Sequence, residues 1–538
     1  MARSSVSFTT ERSSRGTGAL LGLTVAGMAL GAGHLAAAFV APGSSPVVAV
    51  GQAAISLTPE GLKAFAIRTF GSQNKVALIV GMAIVIAVLA CIAGIATLSR
   101  PRIGRLSVIG LGTVGALAAV TRPAAEPTWI LPSAVAIAAG LMALGYLLSR
   151  TDVDDRAPAP TDPAPAPADT APAAVAPLPR APHAFDRRAF VRGVATLGGA
   201  AAAAAVAGVV VSDRRFGAID SRASVAVPMP AEPAVQLPTG TELDVPGITP
   251  FLTSNDDFYR VDTALFPPQV RTEDWRLRIH GMVDRPIELT YPQLLDREVV
   301  ERDITLSCVS NEVGGPYAGT ARWTGVLLRP LLEEAGVHAD ATQLVSRSAD
   351  GMTIGTPTAA VMDGRDAMLA VAMNAEPLPI AHGFPVRMVV PGLFGYVSAT
   401  KWVVAIEATT FEAFDAYWIE RGWAEDPGPI KTTSRIDTPR GSASAGTVAV
   451  AGVAWAPHRG IERVEVRVDE GPWNVAELAA VPSVDTWRQW VFRWEATPGS
   501  HRLEVRATDG DGITQTEERT PPFPDGSTGW HAVTIDVS

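Results

Sequence analysis

The sequence predicts a chain of three parts: a bundle of apolar helices, then a mixed α+β domain, then a C-terminal β-sandwich. The first prediction depends on long stretches of Ala, Val, Leu, Ile and Gly within residues 1–150. The second depends on strand and helix patterns over residues 246–429, and the third on short alternating segments over residues 430–538. A length of 538 residues also favours several structural units over one ordinary domain.

The composition excludes two classes of protein. The formal net charge is −10, whereas a nucleic-acid-binding protein normally presents a basic surface to the phosphates. The chain has only two cysteines, Cys91 and Cys308, so a disulfide framework is excluded as well. Cys91 lies in an apolar run and is expected to face lipid or another helix, which leaves Cys308 unpaired.

Four apolar stretches predict a transmembrane anchor of about four helices. Three of them are long enough to cross a bilayer as helices of about 20 residues, and the stretch at residues 106–121 is shorter. Helices are expected because every backbone polar group must find its partner within the segment. The stretches are residues 17–41, 75–98, 106–121 and 128–149.

Arginines at the ends of these stretches predict their orientation. Because cytoplasmic loops are enriched in Lys and Arg, all the arginine clusters are placed in the cytoplasm, and the four spans then alternate. The loop at residues 42–74 lies outside, with an interfacial helix at residues 55–70. We therefore expect a multi-pass protein of the plasma membrane. The clusters are Arg3, Arg12 and Arg15, then Arg100, Arg102 and Arg105, then Arg150.

A linker and a fifth apolar segment follow. Residues 151–186 contain nine prolines separated largely by alanines, which is typical of a semi-rigid extended linker. Residues 187–211 start with two arginines and continue as an apolar run. This pattern indicates either an internal twin-arginine-like export signal or a fifth ordinary span, and both place the following residues across the membrane. No A-x-A-like site occurs near Val211, so we expect the segment to be retained, followed by a Pro-rich tether over residues 212–245.

The middle part mixes strand and helix patterns. Residues 275–283 alternate between apolar and polar side chains, which predicts a strand. The segment Y-P-Q-L-L predicts a short helix, and Thr324 to Val337 predict a longer helix that ends at Gly336. Further strands are predicted near residues 344–348, 386–390 and 402–408.

The C-terminal part consists of short alternating segments separated by turns such as D-E-G-P and D-G-D-G. This pattern is typical of a β-sandwich of immunoglobulin type. The segments are V-A-V-A-G-V-A-W, V-E-V-R-V, W-V-F-R-W and H-R-L-E-V-R-A-T-D-G.

Cys308 occupies the stretch with the clearest chemical signal. The apolar run from Ile304 to Leu306 predicts a strand that leads into Cys308 and then into a turn with Gly314 and Gly315. A thiolate at such a junction is a ligand for a soft metal or a nucleophile. The alternative is a buried free cysteine that acts as a small apolar residue. Position alone leaves both open.

Two stretches together resemble the sulfite oxidase family of molybdenum enzymes. The first is residues 303–328, around Cys308, and the second is residues 374–407, which contain H-G-F-P-V-R and a later K-W. The resemblance covers roughly residues 245–538. It implies an α+β molybdopterin-binding oxidoreductase domain of the sulfite oxidase type, followed by a domain that mediates homodimerisation in the family.

The resemblance also implies the site residues. Cys308 would bind the molybdenum of a pyranopterin (molybdopterin) cofactor, and Trp323 and Tyr317 would join it at the catalytic centre. Tyr396, in a glycine-rich loop, and Tyr417 and Trp418, in the segment that leads to the sandwich, are further candidates for the pocket wall. The segment F-Y-R-V-D matches the family's F-V-R-N-H, with Val261 and Asp262 in place of Asn and His. The implied cofactor contacts are Tyr259, Arg260, Cys308, Asn311, Asp350, His382, Arg387, Ser398, Thr400 and Lys401.

One departure concerns the substrate. The family carries arginines after the asparagine of the cysteine turn, whereas Glu312 and Val313 follow Asn311 here. A carboxylate at this place disfavours a doubly charged anion. Two alternatives to a sulfite-type oxidase therefore stay open. One is a reductase of a sulfoxide-type or other oxidised substrate, and the other is a catalytically idle binding module that acts through its β-sandwich.

The electrons of a redox reaction need a partner. No haem-attachment motif or cysteine set for an iron–sulfur cluster occurs in the sequence, and His34 is the only histidine in the apolar stretches. We therefore expect no haem or Fe–S cofactor. The expected partners are a small-molecule substrate, a separate electron-transfer partner and the membrane, but no nucleic acid.

Overall fold

The computed structural model describes residues 4–70, 73–150, 187–425 and 428–538. The chain divides into two compact units, Met1–Arg215 and Phe216–Ser538. The linker predicted at residues 151–186 lies outside the described residues.

The first unit is helical. Among the described residues, five helical segments are long and apolar enough to cross a membrane, namely residues 15–40, 74–99, 101–120, 127–148 and 187–224. The stretch predicted as short, residues 106–121, belongs to a helix of 20 residues, which is long enough. The helices are α1 (Ser4–Val40), α2 (Pro46–Leu57), α3 (Glu60–Phe70), α4 (Asn74–Ser99), α5 (Pro101–Val120), α6 (Leu131–Leu148) and α7 (Arg187–Phe216).

Side chains of this unit expose apolar surface and bury small residues. Ile92, Leu106 and Met142 are 60%, 67% and 68% exposed, an arrangement that suits lipid better than water. Between α1 and α4, Gly22 and Gly94 approach so closely that a Cβ on either would meet backbone of the other helix. Small residues at a crossing allow the close backbone contact that holds membrane helices together.

The second unit begins with α8 (Ile219–Ser224) and an α+β domain built on two sheets. One sheet has the order β2-β1-β10-β5-β6, and the other has the order β3-β4-β7-β8 with β9 paired to β7. The strands are β1 (Arg276–Gly281), β2 (Ile287–Thr290), β3 (Val299–Ser307), β4 (Ala318–Leu327), β5 (Gln343–Ser348), β6 (Thr353–Pro357), β7 (Met368–Met373), β8 (Glu376–Pro377), β9 (Arg387–Val389) and β10 (Val403–Thr409). The helices are α9 (Tyr291–Leu295), α10 (Leu328–Ala335) and α11 (Thr358–Met362).

The predicted helix over residues 324–337 is wrong in its first turn. Residues 324–327 instead form the end of β4, where they pair with β3 on one side and β7 on the other. Neighbouring strands supply these hydrogen bonds, so the local helical pattern is overridden. The helix α10 starts at Leu328 and ends, as predicted, at Gly336, whose φ of +68° suits glycine.

The C-terminal part is a β-sandwich. A four-stranded sheet (β11-β13-β17-β16) and a five-stranded sheet (β12-β19-β18-β14-β15) share a core that includes Val450, Val464, Trp490, Leu503 and Ile535. The immunoglobulin type stays a prediction. The strands are β11 (Thr433–Thr438), β12 (Ser442–Ala443), β13 (Gly446–Trp455), β14 (Ile461–Val468), β15 (Asn474–Val475), β16 (Glu477–Leu478), β17 (Arg488–Ala496), β18 (Gly499–Asp509) and β19 (His531–Val537).

The segment predicted as a tether, residues 212–245, is not a free spacer. Its first residues continue α7 and form α8. Farther along, Ala231 N donates to Val299 O at 2.8 Å, and Leu243 N donates to Gln489 Oε1 at 2.7 Å. The extended backbone of a Pro-rich segment keeps its remaining N–H groups available for such bonds, so the segment packs along the second unit.

Candidate active site

The loop that carries Cys308 connects two paired strands. The strands β3 and β4 pair from Val299↔Val326 to Ser307↔Ala318, and residues 308–317, here called the cysteine loop, join their ends. Cys308 N donates to Tyr317 O at 2.9 Å, and Tyr317 N donates to Asn311 Oδ1 at 2.8 Å. These bonds close the loop on itself and place the thiol at the end of the β3–β4 hairpin.

The thiol of Cys308 is 8% exposed and lies in the wall of a cavity. Burial raises its pKa, and the hydrogen bonds from Ser310 and the charge of Lys401 act in the opposite direction. A cation that favours the thiolate therefore faces the cysteine within the same cavity. The cavity is lined by Phe258, Tyr259, Val261, Asp262, Thr263, Cys308, Val309, Ser310, Met352, Ile354, His382, Arg387, Gly395, Tyr396, Ala399, Lys401, Trp418 and Trp423.

Arg387 is the buried cation of this cavity without a carboxylate partner. It is 5% exposed, its Nη1 donates to His382 O at 3.2 Å, and its guanidinium carbon lies 4.9 Å from the centre of the Trp323 ring. Its Nε has no hydrogen-bond partner, and no carboxylate among the described residues lies within ion-pair distance. Burial lowers its pKa to about 10. A buried guanidinium in this state needs an anion.

Lys401, by contrast, is already paired within the protein. Its Nζ lies 2.9 Å from Asp262 Oδ2, and the side chains are 7% and 1% exposed. Arg260 Nε approaches the same carboxylate oxygen at 3.4 Å, although its side chain is 42% exposed. Asp262 therefore offsets part of the positive charge at this end of the cavity.

His382 lies between these cations and is uncharged at neutral pH. Burial, together with the charges of Arg387 and Lys401, lowers its pKa to about 3. Its ring meets the ring of Phe258 edge to face at a centroid distance of 5.7 Å. A neutral imidazole offers a ligand one donor and one acceptor.

Another part of the cavity wall is aromatic and apolar. Trp423 stands 5.9 Å from Tyr396 and 6.2 Å from Trp418, measured between ring centroids. Met352 and Ile354 continue this wall. The wall offers contact area to an uncharged group and little to hold a dianion.

The structure brings five of the predicted site residues together around the cavity, namely Tyr259, Cys308, His382, Arg387 and Lys401. Burial raises the pKa of the Tyr259 phenol, and the nearby Cys308 adds to the shift, so the hydroxyl keeps its proton. The weaker candidates Tyr396 and Trp418 also line the cavity.

Other predicted residues are not among those that line the cavity. Trp323 is fully buried, and it donates from Nε1 to Ile304 O at 3.2 Å while its ring supports Arg387. Tyr317 is half-buried, with its ring centre 6.4 Å from that of Tyr259. Tyr417 packs under Arg421, whose guanidinium carbon lies 3.5 Å from the ring centre.

The remaining predicted polar contacts are used within the protein. Asn311 caps the cysteine loop, and Asp350 Oδ1 accepts from Met352 N at 3.2 Å in a turn. The Ser398 hydroxyl donates to Leu393 O and Phe394 O, and the Thr400 hydroxyl bonds that of Ser346 at 2.6 Å. Glu312 and Val313, which motivated the doubt about sulfite, are not among the residues that line the cavity.

Sequence reasoning missed several members of the wall. Trp423 and the pair Met352 and Ile354 gave no motif that could have identified them. Asp262 was recognised in the sequence as a departure from the family pattern. This departure could have predicted the ion pair with Lys401, because an acid at this position neutralises the lysine of K-W. Thr263 follows it in the wall.

Parts of the chain are similar to known proteins. Residues 264–418 match the family model described as an oxidoreductase molybdopterin binding domain. Mitochondrial sulfite oxidase of Drosophila melanogaster is 30% identical over 305 residues, which are 47% of this chain and 52% of that protein. The NADH nitrate reductase of Spinacia oleracea is 28% identical over 326 residues, covering 47% of this chain and 34% of that protein. The sulfane dehydrogenase SoxCD from Paracoccus pantotrophus aligns with a TM-score of 0.47 and 22% identity over 54% of this chain and 84% of that chain.

These findings define the class of the protein. The middle domain is an oxidoreductase molybdopterin-binding domain. The comparisons support a sulfite-oxidase-like, molybdenum-dependent oxidoreductase, as the sequence motifs predicted. It spans about half the length of the Drosophila relative. The residues present fit the cofactor, because a thiol and an orphaned buried guanidinium share one cavity, as a thiophilic metal and a phosphate require.

Proposed function

We propose that the protein is a membrane-anchored molybdenum-cofactor oxidoreductase that transfers an oxygen atom in the manner of the sulfite oxidases. Its catalytic domain is extracytoplasmic and exchanges electrons with a separate partner. In the oxidising direction, the substrate gains one oxygen atom from water and releases two electrons and two protons, and the electrons pass to that partner.

The observation that carries this proposal is the buried Arg387 in the cavity of Cys308. A guanidinium that is 5% exposed and lacks a carboxylate partner costs the fold stability, and a bound anion offsets that cost. A phosphate-bearing cofactor supplies that anion, and Arg offers it bidentate hydrogen bonds.

Each residue of the cavity then has a defined role. The Cys308 thiolate binds the metal, Arg387 binds the cofactor phosphate, and neutral His382 hydrogen-bonds the pterin or phosphate. Lys401 contributes charge that Asp262 partly offsets. The bound cofactor supplies the two-electron redox chemistry, and the protein supplies position and electrostatics.

The location is supported by the first unit. Five helical segments of sufficient length and apolarity precede the oxidoreductase domain. Arginine clusters at alternate ends favour an extracytoplasmic site for the rest of the chain. Homodimerisation through the β-sandwich is proposed from the family resemblance, and the separate electron partner is proposed because the sequence contains no haem-attachment motif or Fe–S cysteine set.

A reductase of an oxidised, uncharged substrate is the second candidate. The wall formed by Trp418, Trp423 and Met352 favours it, because such a surface binds an apolar group without offering a counter-charge. It also agrees with the partial neutralisation of Lys401 by Asp262.

The proposal is tested by measuring molybdenum in the full chain, purified in detergent from a host that makes the cofactor. We expect near-stoichiometric metal in the parent protein and in Cys91→Ser, which is the matched control. We expect loss of the metal, or a changed metal environment, in Cys308→Ser. Unchanged metal content and environment in Cys308→Ser would refute the ligand assignment.

The direction of turnover is tested on the loaded protein. Sulfite with an artificial electron acceptor assays the oxidase, and dimethyl sulfoxide with a reduced viologen assays the reductase. The cavity wall predicts that substituting Trp423 by Ala changes turnover of the uncharged substrate more than that of sulfite. A well-folded parent chain without molybdenum would instead support the idle binding module.

A further inference from the structure

The cysteine loop is held from outside by the β-sandwich. Gly314, at the tip of the loop, has a φ of +80°, and a Cβ there would collide with the ring of His531 at the start of β19. His531 Nδ1 accepts from Ile436 N at 3.0 Å, so its Nε2 carries the proton and the ring is fixed in place. The loop tip therefore rests against an immobile group of the sandwich.

A buried arginine of the sandwich reaches the same loop. Arg435 donates from Nη1 to Gly315 O at 2.9 Å, from Nε to Asp437 Oδ1 at 2.6 Å and from Nη2 to Thr249 Oγ1 at 2.8 Å. Three nitrogens of one planar fork serve three different partners, a geometry that lysine does not reproduce. Arg435 thus ties the loop to both the sandwich and the start of the α+β domain.

A serine of the β18–β19 connection holds the loop at a second point. Ser527 Oγ donates to Asn311 O at 2.7 Å. Asn311 is the residue whose side chain caps Tyr317 N and closes the loop. The sandwich therefore holds the residue on which the internal geometry of the loop depends.

The C-terminal domain also holds strand β3, which leads to Cys308. Thr305 N donates to Asp485 O at 2.9 Å, and Thr305 Oγ1 accepts from Trp487 N at 2.7 Å. Trp487 is 1% exposed, and its Nε1 donates to Phe251 O at 2.7 Å. Both the approach to Cys308 and the return from it are therefore fixed by the same C-terminal domain.

We propose that the β-sandwich acts as a clamp that positions the Cys308 thiol, with Ser527, Arg435 and His531 as positioning residues. A loop with adjacent glycines has high conformational freedom by itself, and the clamp removes that freedom before any cofactor binds. The consequence for the metal rests on the proposed function. The clamp itself does not, because its contacts are made within the protein.

The clamp is tested by amide hydrogen exchange of the cysteine loop in the full chain, prepared without cofactor. Ser527→Ala removes one hydrogen bond to the loop, and we expect exchange of the peptide over residues 308–317 to become roughly two- to tenfold faster. Ser434→Ala is the matched control. It removes a buried bond to Gln515 Oε1 of 2.7 Å inside the sandwich, and we expect it to leave the cysteine loop unchanged.

Arg435→Lys gives an independent readout, because it keeps the charge beside Asp437 and loses the fork. We expect faster loop exchange here too, and a changed electron paramagnetic resonance signal of the metal in the loaded protein. Loop exchange unchanged in both Ser527→Ala and Arg435→Lys would overturn the clamp. Failure of the proposed function is a separate result, since it shows as absent molybdenum in the parent protein, whatever the exchange rates are.

Discussion

The cavity of Cys308 and the β-sandwich differ in whether their arginines have a carboxylate partner. In the sandwich, Arg435 lies 2.6 Å from Asp437, and Arg459 lies 3.0 Å from Asp509, with both carboxylates almost fully buried. In the cavity, Arg387 is 5% exposed and has no carboxylate partner among the described residues. A buried charge with a partner is compensated within the fold, while one without a partner can be compensated by a bound ligand of opposite charge.

The largest expected effect comes from removing a paired arginine. Arg435→Met leaves Asp437 buried and uncompensated, so the free energy of unfolding should fall by about 3–5 kcal/mol. Denaturant unfolding followed by tryptophan fluorescence measures it. The double variant Arg435→Met, Asp437→Leu removes both charges and should be clearly less destabilised. Equal losses in the single and double variants would contradict the pairing argument.

The second effect is a dependence of the free energy of unfolding on pH, caused by His531 in the sandwich. Burial, together with the charge of Arg435, lowers the pKa of His531 to about 4 from an unfolded value of 6.5. The unfolded state therefore binds the proton first, and the contribution of His531 is present above pH 6.5 and lost as the pH falls through 4. The full loss is on the order of 3 kcal/mol.

This pH dependence has an internal control in His458. Its hydrogen bond to Asp485 raises its pKa, so its contribution is present at low pH and lost as the pH rises through the folded-state pKa. In His531→Gln, the fall in the free energy of unfolding at acid pH (the acid limb) should become smaller. His458→Gln should leave this fall unchanged. An acid limb unaffected by His531→Gln would show that other groups produce it.

The third effect is a change in the free energy of unfolding with the opposite sign to the first. Arg387→Met removes an unpaired buried charge, so the cofactor-free protein should be as stable as the parent or more stable by about 1–2 kcal/mol. Cofactor retention should fall by about 10- to 100-fold, since a charged hydrogen-bond partner is lost. Thermal unfolding without cofactor and molybdenum content after dialysis give the two values. A marked loss of stability without cofactor would make Arg387 a structural residue.

The smallest effect sets the baseline for exposed charges. Arg329 Nε lies 2.7 Å from Glu333 Oε1 on α10, with side chains 48% and 51% exposed. Arg329→Ala should change the free energy of unfolding by only about 0.3–0.5 kcal/mol. The same denaturant titration measures it, and high salt should reduce the difference further. A loss comparable to that of Arg435→Met would remove the distinction between buried and exposed pairs.

Prediction from sequence succeeded where the signal is local. The apolar stretches, the strand at residues 275–283 and the strand before Cys308 are each contained in about 25 neighbouring residues or fewer, on the scale of a membrane-spanning helix. It was wrong for residues 324–327, because a central strand receives its hydrogen bonds from β3 and β7 rather than from its own segment. The prediction also treated residues 212–245 as a tether, because the local sequence pattern does not indicate the hydrogen bonds to Val299 and Gln489.

The sequence by itself determined the thiol at the end of a strand, the motifs that resemble the sulfite oxidase family and the apolar length of the helices. Only the tertiary structure decided which charges are paired and which residues face the cavity. Asp262 and Lys401 are 139 positions apart, and Ser527 lies 216 positions from Asn311. Whether such groups meet depends on how the sheets pack, and a local pattern carries no information about that. For this reason the same residue type, arginine, has a carboxylate partner at position 435 and none among the described residues at position 387.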